Sequence, residues 1–338
     1  METKRLYLGD ETQNSIKSCA AILKNGGIVA IPTETVYGLA ASALNSEAIE
    51  SVFKAKGRPQ DNPLIVHIDS IEMLNKIAKN IPQKALMCAE RFWPGPFTMV
   101  LESSGYVAKE VSAGLGTVAV RMPSNEIAMQ VIKQSGLPLA APSANVSGSP
   151  SPTSAFHVLD DLDGKIDAVI MGANCKVGVE STVISVSDKG ARLLRPGAVT
   201  LEMLKEIFPD IAVDKAILSE PKSDERVASP GMKYKHYAPR TELYLVNADS
   251  QSYCDFVNRQ DAVAVCFKEE AEKIKGQTFI YGEEQNEESM AQSIFSVLRE
   301  LDGKDVKKAY VHAPKKHGVG LAVYNRLIRA CAFRVIEL

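Results

Sequence analysis

No pair of the six cysteines in this 338-residue chain forms a C-x-x-C motif. They are scattered at positions 19, 88, 175, 254, 266 and 331. This spacing argues against a zinc module or a disulfide framework and for a reducing compartment, with most of the six read as small core residues. Both common nucleotide fingerprints are also missing: neither G-x-x-x-x-G-K-[ST] nor G-x-G-x-x-G occurs, so any bound nucleotide is held in another way. Charge of one sign is lacking too. The formal net charge is -2, which excludes a global basic field and leaves only a local patch for contact with nucleic acid. The opening M-E-T-K-R-L-Y-L-G-D has no apolar signal core, and no run approaches the length of a membrane span, so a cytoplasmic protein without membrane contact is expected. What remains is 45% apolar and 24% charged, the composition of a globular protein, and long enough that two domains are expected.

The most informative stretch runs from Lys54 to His67, K-A-K-G-R-P-Q-D-N-P-L-I-V-H. Ile49, Val52 and Phe53 before it repeat at helical spacing, and Leu64 to Ile68 after it reads as a strand. Basic residues at a helix end complement its free carbonyls. Pro59 and Pro63 also stiffen the loop carrying Lys56, Arg58 and Asn62, and a rigid loop with a guanidinium and an ammonium suits phosphate or carboxylate. Five other stretches join strands to loops. Ile28 to Ile31 leads into Pro32-Thr33-Glu34-Thr35-Val36-Tyr37-Gly38, where the hydroxyls read as turn formers and Glu34 as a solvated carboxylate, although their density also suits a site. Thr117 to Arg121 is a strand with Arg121 at its tip. The strand Pro138 to Ala141 ends in the hydroxyl-rich loop Pro142 to Thr153, which reads either as a long turn or as a set of phosphate-facing N–H and O–H groups before a helix capped by Thr153. Ser181 begins one strand and Arg195 ends another. Asp10, with Gln13 three residues on, reads as the cap of a first helix.

Residues 219 to 240 are polar and rich in proline, the composition of a linker, but Met232, Tyr234, His236 and Tyr237 are more amphipathic groups than a tether needs. Beyond it, strands and helices alternate to the end, which predicts a small parallel α/β sheet. His312 and His317 there read as surface residues, not as metal ligands.

Seven motifs in order over residues 30 to 197 now carry a resemblance: I-P-T-E-T-V-Y-G-L, K-G-R-P-x-x-N-P-L, P-G-P-F-T, V-A-V-R-x-P, A-P-S-A-N-x-S-G, E-S-T-V-I and L-R-P-G. Together they resemble the YrdC-type family, and S-P-G-M-K-Y-K-H-Y-A-P with the α/β tail resembles its long, two-domain form, the threonylcarbamoyl-AMP synthases. The resemblance implies an α/β fold: a YrdC-like twisted mixed sheet with helices over residues 1–215, a linker over 216–240 folding above the active site, and a smaller Rossmann-like parallel domain over 241–338. It implies condensation of L-threonine, bicarbonate or CO₂, and ATP to threonylcarbamoyl-AMP and pyrophosphate. A downstream tRNA threonylcarbamoyl transferase complex would then modify tRNAs that read codons beginning with A, and weak contact with tRNA is conceivable. By matching positions, Lys56 and Arg58 would be catalytic. The nucleotide would be held by them with Asn62, Thr117, Ser143, Asn145, Ser151, Arg195, Tyr234 and Tyr237. L-threonine would be held by Thr35, His67, Arg121, Ala141 and Ser181, with Arg121 taking its carboxylate as a bidentate partner. Mg²⁺ would ride on the triphosphate without a protein metal site. Two rival readings are an RNA-binding translation factor with a basic concave face, and a carbamoyl-adenylating hydrogenase-maturation enzyme. Hydroxyl-rich loops and few aromatics disfavour the first, and the lack of C-x-x-C pairs disfavours the second.

Overall fold

Residues 4–213 build one eleven-stranded mixed sheet in the computed structural model, which describes residues 2–219, 237–260 and 262–338. From edge to edge its strands are Lys4–Tyr7, Ala168–Met171, Val29–Ile31, Gly38–Ser42, Leu139–Ala140, Ile65–His67, Thr117–Arg121, Phe97–Glu102, Thr182–Ser187, Gly190–Arg195 and Ala212–Val213. The central strands are covered on both faces, so they read in sequence as short continuous apolar runs without alternation. Register fixes what gathers at one end of the sheet. His67 pairs with Arg121 across a parallel step, Arg121 with Thr98 across an antiparallel one, and Thr98 with Val183 across a second parallel one. One rung of the sheet therefore carries His67, Arg121 and Thr98 side by side, with Ser181 just before the next strand.

Helix Ser46–Lys56 is capped by Asn45, whose side chain accepts from the Ala48 amide, and it ends at Gly57 in left-handed geometry (φ 60°). That turn leaves Lys56 as the buried last residue of the helix and sends Arg58 back toward the sheet. The cap expected at Asp10 is not formed. The first helix, Thr12–Lys24, has Glu11 at its N-cap without a side-chain bond, and the Thr12 hydroxyl instead closes the turn with Gly9. One residue likewise separates expectation from structure at helix Ala155–Leu162, which Ser154 caps in place of Thr153. All six cysteines are buried and unpaired.

The second sheet is parallel throughout, in the order Thr278–Ile280, Val263–Cys266, Lys308–His312, Glu242–Asn247, Val335–Glu337. Helix Glu287–Gly303 buries Met290, Ile294, Val297 and Leu301 as its spacing predicts. Every residue of helix Gly320–Ala330 is buried, because one side covers its own sheet and the other lies on the first domain. There the Asn325 amide donates to the Ile217 carbonyl (2.7 Å) and Arg329 to the Ala216 carbonyl (2.6 Å). His312 is not a surface residue: it is 3% exposed and 2.7 Å from the Glu270 carboxylate. Among the described residues no helix is long and apolar enough to cross a membrane.

The two domains touch closely at Gly178. Its φ is +83°, and a Cβ there would lie 2.2 Å from the Ala291 carbonyl oxygen of helix Glu287–Gly303. Gly178→Ala should therefore destabilise the protein by about 2–4 kcal/mol, through left-handed strain and a backbone clash. A melting temperature equal to the parent's would show that this contact yields.

Candidate active site

At the end of the first sheet where His67, Arg121 and Thr98 align, the walls part into a cleft. It encloses about 690 Å³ counted out to open solvent, within the range of small-molecule sites. Cations reach it from three kinds of element: Lys56 from a helix end, Arg58 from the turn after it, and Arg121 and Arg195 from strand ends. Lys56 Nζ donates to the Ser143 carbonyl (2.5 Å) and the Asn145 carbonyl (2.7 Å), which pins the hydroxyl-rich loop to the helix. Burial, and then the Arg58 guanidinium, hold its pKa well below that of an ordinary lysine. Arg58 is half-buried and donates to the Pro63 carbonyl (3.2 Å) and, at 3.4 Å, to that of Asn62. Arg195 Nε donates to the Ser181 carbonyl (3.0 Å) and a terminal nitrogen donates to the Ser181 hydroxyl (3.1 Å). That hydroxyl is also bonded to Thr98 at 2.8 Å.

Arg121 is bound differently. Nε donates to the Gly95 carbonyl (3.3 Å), one terminal nitrogen to the Thr35 hydroxyl (3.0 Å), and the other lies 2.7 Å from Glu34 Oε1. Glu34 is thus not a solvated carboxylate but a buried one, 8% exposed. Burial alone would raise its pKa; Arg121 outweighs this and holds it below the ordinary carboxylate value. Each terminal nitrogen of a guanidinium carries two N–H groups, so Arg121 retains donors beyond these contacts. Beside it the His67 imidazole is 2% exposed, and burial, then Arg121, pushes its pKa down to about 3. It is therefore neutral near neutral pH.

A second carboxylate enters the wall. Glu180 accepts from the Ser151 hydroxyl on Oε1 (2.5 Å) and from Arg326 of the second domain on Oε2 (3.0 Å). The Asn145 side chain donates to the Val146 and Ser149 carbonyls (2.7 and 2.9 Å), which leaves its buried Oδ1 as an acceptor without a partner. Among the described residues no cluster of three or more His, Cys, Asp or Glu could hold a metal ion.

Two family models divide the chain. The Sua5–YciO–YrdC family, described as telomere recombination, matches residues 21–197, and the C-terminal domain of threonylcarbamoyl-AMP synthase matches residues 199–332. The chain belongs to the threonylcarbamoyl-AMP synthase family. The synthase of Pyrococcus abyssi is 44% identical over 333 residues, covering 96% of each chain. That of Bacillus subtilis is 40% identical over 349 residues, covering 100% of each. A crystal structure of P. abyssi Sua5 complexed with L-threonine matches with a TM-score of 0.90 at 39% identity, over 100% of both chains.

Of the residues expected at a threonylcarbamoyl-AMP synthase site, Thr35, Lys56, Arg58, His67, Arg121, Ala141, Ser143, Asn145, Ser151, Ser181, Arg195 and Tyr237 line this one cleft. Two do not. Thr117 is exposed at the opposite end of the strand from Arg121, four residues and about 13 Å away. Asn62 is buried, and its carbonyl supports Arg58 from behind. Tyr234 lies outside the described residues. Glu180 opens the E-S-T-V-I motif but has no role among the residues expected at the site, and Arg326 is not singled out there. The one hint was a set of polar residues, Asn325, Arg326 and Arg329, in a helix that is otherwise largely apolar.

A buried neutral histidine has a pH signature. The unfolded chain binds a proton at the ordinary His67 pKa of 6.5, whereas the folded protein does so only near 3. Stability is therefore lost as pH falls below 6.5, by up to about 1.4 kcal/mol per unit. His67→Gln should flatten that acid limb in denaturation curves between about pH 6.5 and 4.5. An unchanged slope would show that His67 already carries a proton when folded.

Proposed function

We propose that the chain is a threonylcarbamoyl-AMP synthase that joins L-threonine, bicarbonate and ATP, releasing pyrophosphate and water. The observation carrying this reading is the convergence of Lys56, Arg58 and Arg195 with Arg121 in one cleft, since a triphosphate and an amino-acid carboxylate together need several cations. A concave RNA-binding face is disfavoured. Lys56, Arg121 and Arg195 are 1%, 4% and 7% exposed, beyond the reach of a duplex.

The threonine amine captures CO₂ as a carbamate with loss of a proton. A carbamate oxygen attacks the α-phosphorus of ATP, the bond to the β-phosphate's bridging oxygen breaks, and pyrophosphate departs. The nucleophile is already anionic, so catalysis consists of positioning and charge neutralisation. Lys56 and Arg58 face the phosphates, with Arg195, Ser143 and Ser151 completing the wall. Asn145 Oδ1 needs a donor, and the ribose or base has donors where phosphate oxygens have none, so Asn145 belongs at the nucleoside end. The spare N–H groups of Arg121 take the threonine carboxylate, with Thr35, His67, Ala141 and Ser181 around the rest. Because Glu34 and Thr35 already engage both terminal nitrogens, this clamp uses the outer N–H of each. The Glu180 oxygens accept from Ser151 and Arg326, so Mg²⁺ would travel on the triphosphate, held by phosphate oxygens and water, and neutralise charge there. Tyr237 lines the cleft, which supports its contact with the nucleotide; Tyr234, expected beside it, lies outside the described residues. The product would pass to a tRNA threonylcarbamoyl transferase complex.

Pyrophosphate release should require ATP, L-threonine and bicarbonate together. Arg58→Ala should lower it by roughly 30- to 1000-fold, the cost of one lost electrostatic donor. Near-parental release by that variant would overturn the role of Arg58, and release without threonine would overturn the reaction.

A further inference from the structure

Resting on the reading of this cleft as an ATP site, we propose that Arg326 is a positioning residue for the nucleotide. It is the guanidinium by which the C-terminal domain neutralises a carboxylate in the wall beside the triphosphate. Glu180 is that carboxylate, 7% exposed and among the lining residues. Arg326 is fully buried and does not line the cleft. It reaches Glu180 from behind, Nε donating to Oε2 (3.0 Å) and one terminal nitrogen to the Glu180 backbone carbonyl (3.2 Å), while the other holds the Pro196 carbonyl at 2.6 Å. Both partners adjoin groups in the wall: Glu180 precedes Ser181 and bonds Ser151, and Pro196 follows Arg195.

A carboxylate in a site for a polyanion is a liability unless its charge is cancelled. Burial would push the Glu180 carboxyl up, and Arg326, then Arg195, hold it below the ordinary value. Without Arg326, Glu180 would either repel the phosphates or draw Arg195 away from them. The charge that makes the cleft usable thus comes from the other domain.

The test measures ATP binding to the full-length protein by calorimetry, and KM for each substrate by pyrophosphate release. Arg326→Met should weaken ATP binding by roughly 10- to 100-fold while KM for L-threonine changes by less than about threefold. The defect should shrink as pH is lowered, because Glu180, left facing Ser151, Arg195, Lys56 and Tyr237 without Arg326, takes up a proton more readily. Adding Glu180→Gln, which removes both charges of the pair, should recover at least about tenfold. Parental ATP affinity in Arg326→Met, or a pH-independent defect, would overturn the proposal. If Arg326→Met does not fold, the double variant decides: folded and binding ATP, it supports the proposal; folded without binding, it overturns it. Failure of the parent protein to bind ATP would instead overturn the reading of the cleft itself.

Discussion

Keeping cations charged in a space from which water is nearly excluded is the constraint on which the rest of the structure depends. Burying an ammonium or guanidinium costs several kcal/mol unless it is compensated, yet pairing each with a carboxylate would spend the charge the site needs. The chain resolves this chiefly with neutral oxygens. Lys56 is held by two backbone carbonyls and Arg195 by a carbonyl and a hydroxyl of Ser181. Such partners fix geometry and lower the burial cost while leaving the positive potential for a ligand. The conformation of the loops follows from this demand. The 142–153 loop must turn its carbonyls inward at Ser143 and Asn145, which in turn orients the neighbouring hydroxyls along the wall.

Arg121 is the exception. Its contacts with Glu34 and Thr35 freeze the orientation of the guanidinium in a way that a single carbonyl could not, and a fork with a fixed plane suits a planar carboxylate. Arg121 thus differs from Lys56 in having a carboxylate as a direct partner. The neutral His67 completes the contrast, since it adds shape and a polar edge without adding charge.

Much of this was legible in the sequence because strand-to-loop junctions leave local marks. Apolar runs ending in Arg121 or Arg195, the Gly57 turn with its basic flanks, and the hydroxyl-dense 142–153 loop all signal themselves within a dozen residues. What was not legible is partnership across the fold. Glu34 read as solvated because nothing nearby in sequence shows that Arg121 lies opposite. Glu180 stands in a recognisable motif, but its role gave no signal because its partner is 146 residues away. Thr117 belongs to the same strand as Arg121, and sequence alone does not say which end of a strand faces the cleft. Strand Val335–Glu337 escaped notice because a three-residue edge carries no pattern. The caps at Glu11 and Ser154 moved by one residue from the expected positions, the ordinary uncertainty of helix ends.

The second domain shows what its own fold would have suggested and did not use. In an open parallel sheet, ligands bind outside the C-terminal ends of the strands. Here that edge is closed by side chains satisfying one another. His312, ending the central strand, has Nδ1 2.7 Å from Glu270 and Nε2 3.0 Å from the Ala248 carbonyl. Ser250 also bonds Glu270, and Tyr253 stacks on His312 with centroids 4.4 Å apart. With Glu270 at 0% and His312 at 3% exposure, the crevice is packed with its own polar groups and offers a ligand neither space nor an open partner. The unusual chemistry of the domain lies on the opposite side of its architecture, in helix Gly320–Ala330, where Asn325, Arg326 and Arg329 face carbonyls and a carboxylate of the first domain. A fold widely used to bind nucleotides thus closes its own crevice here and packs the polar residues of this helix against the wall of the cleft built by the other domain.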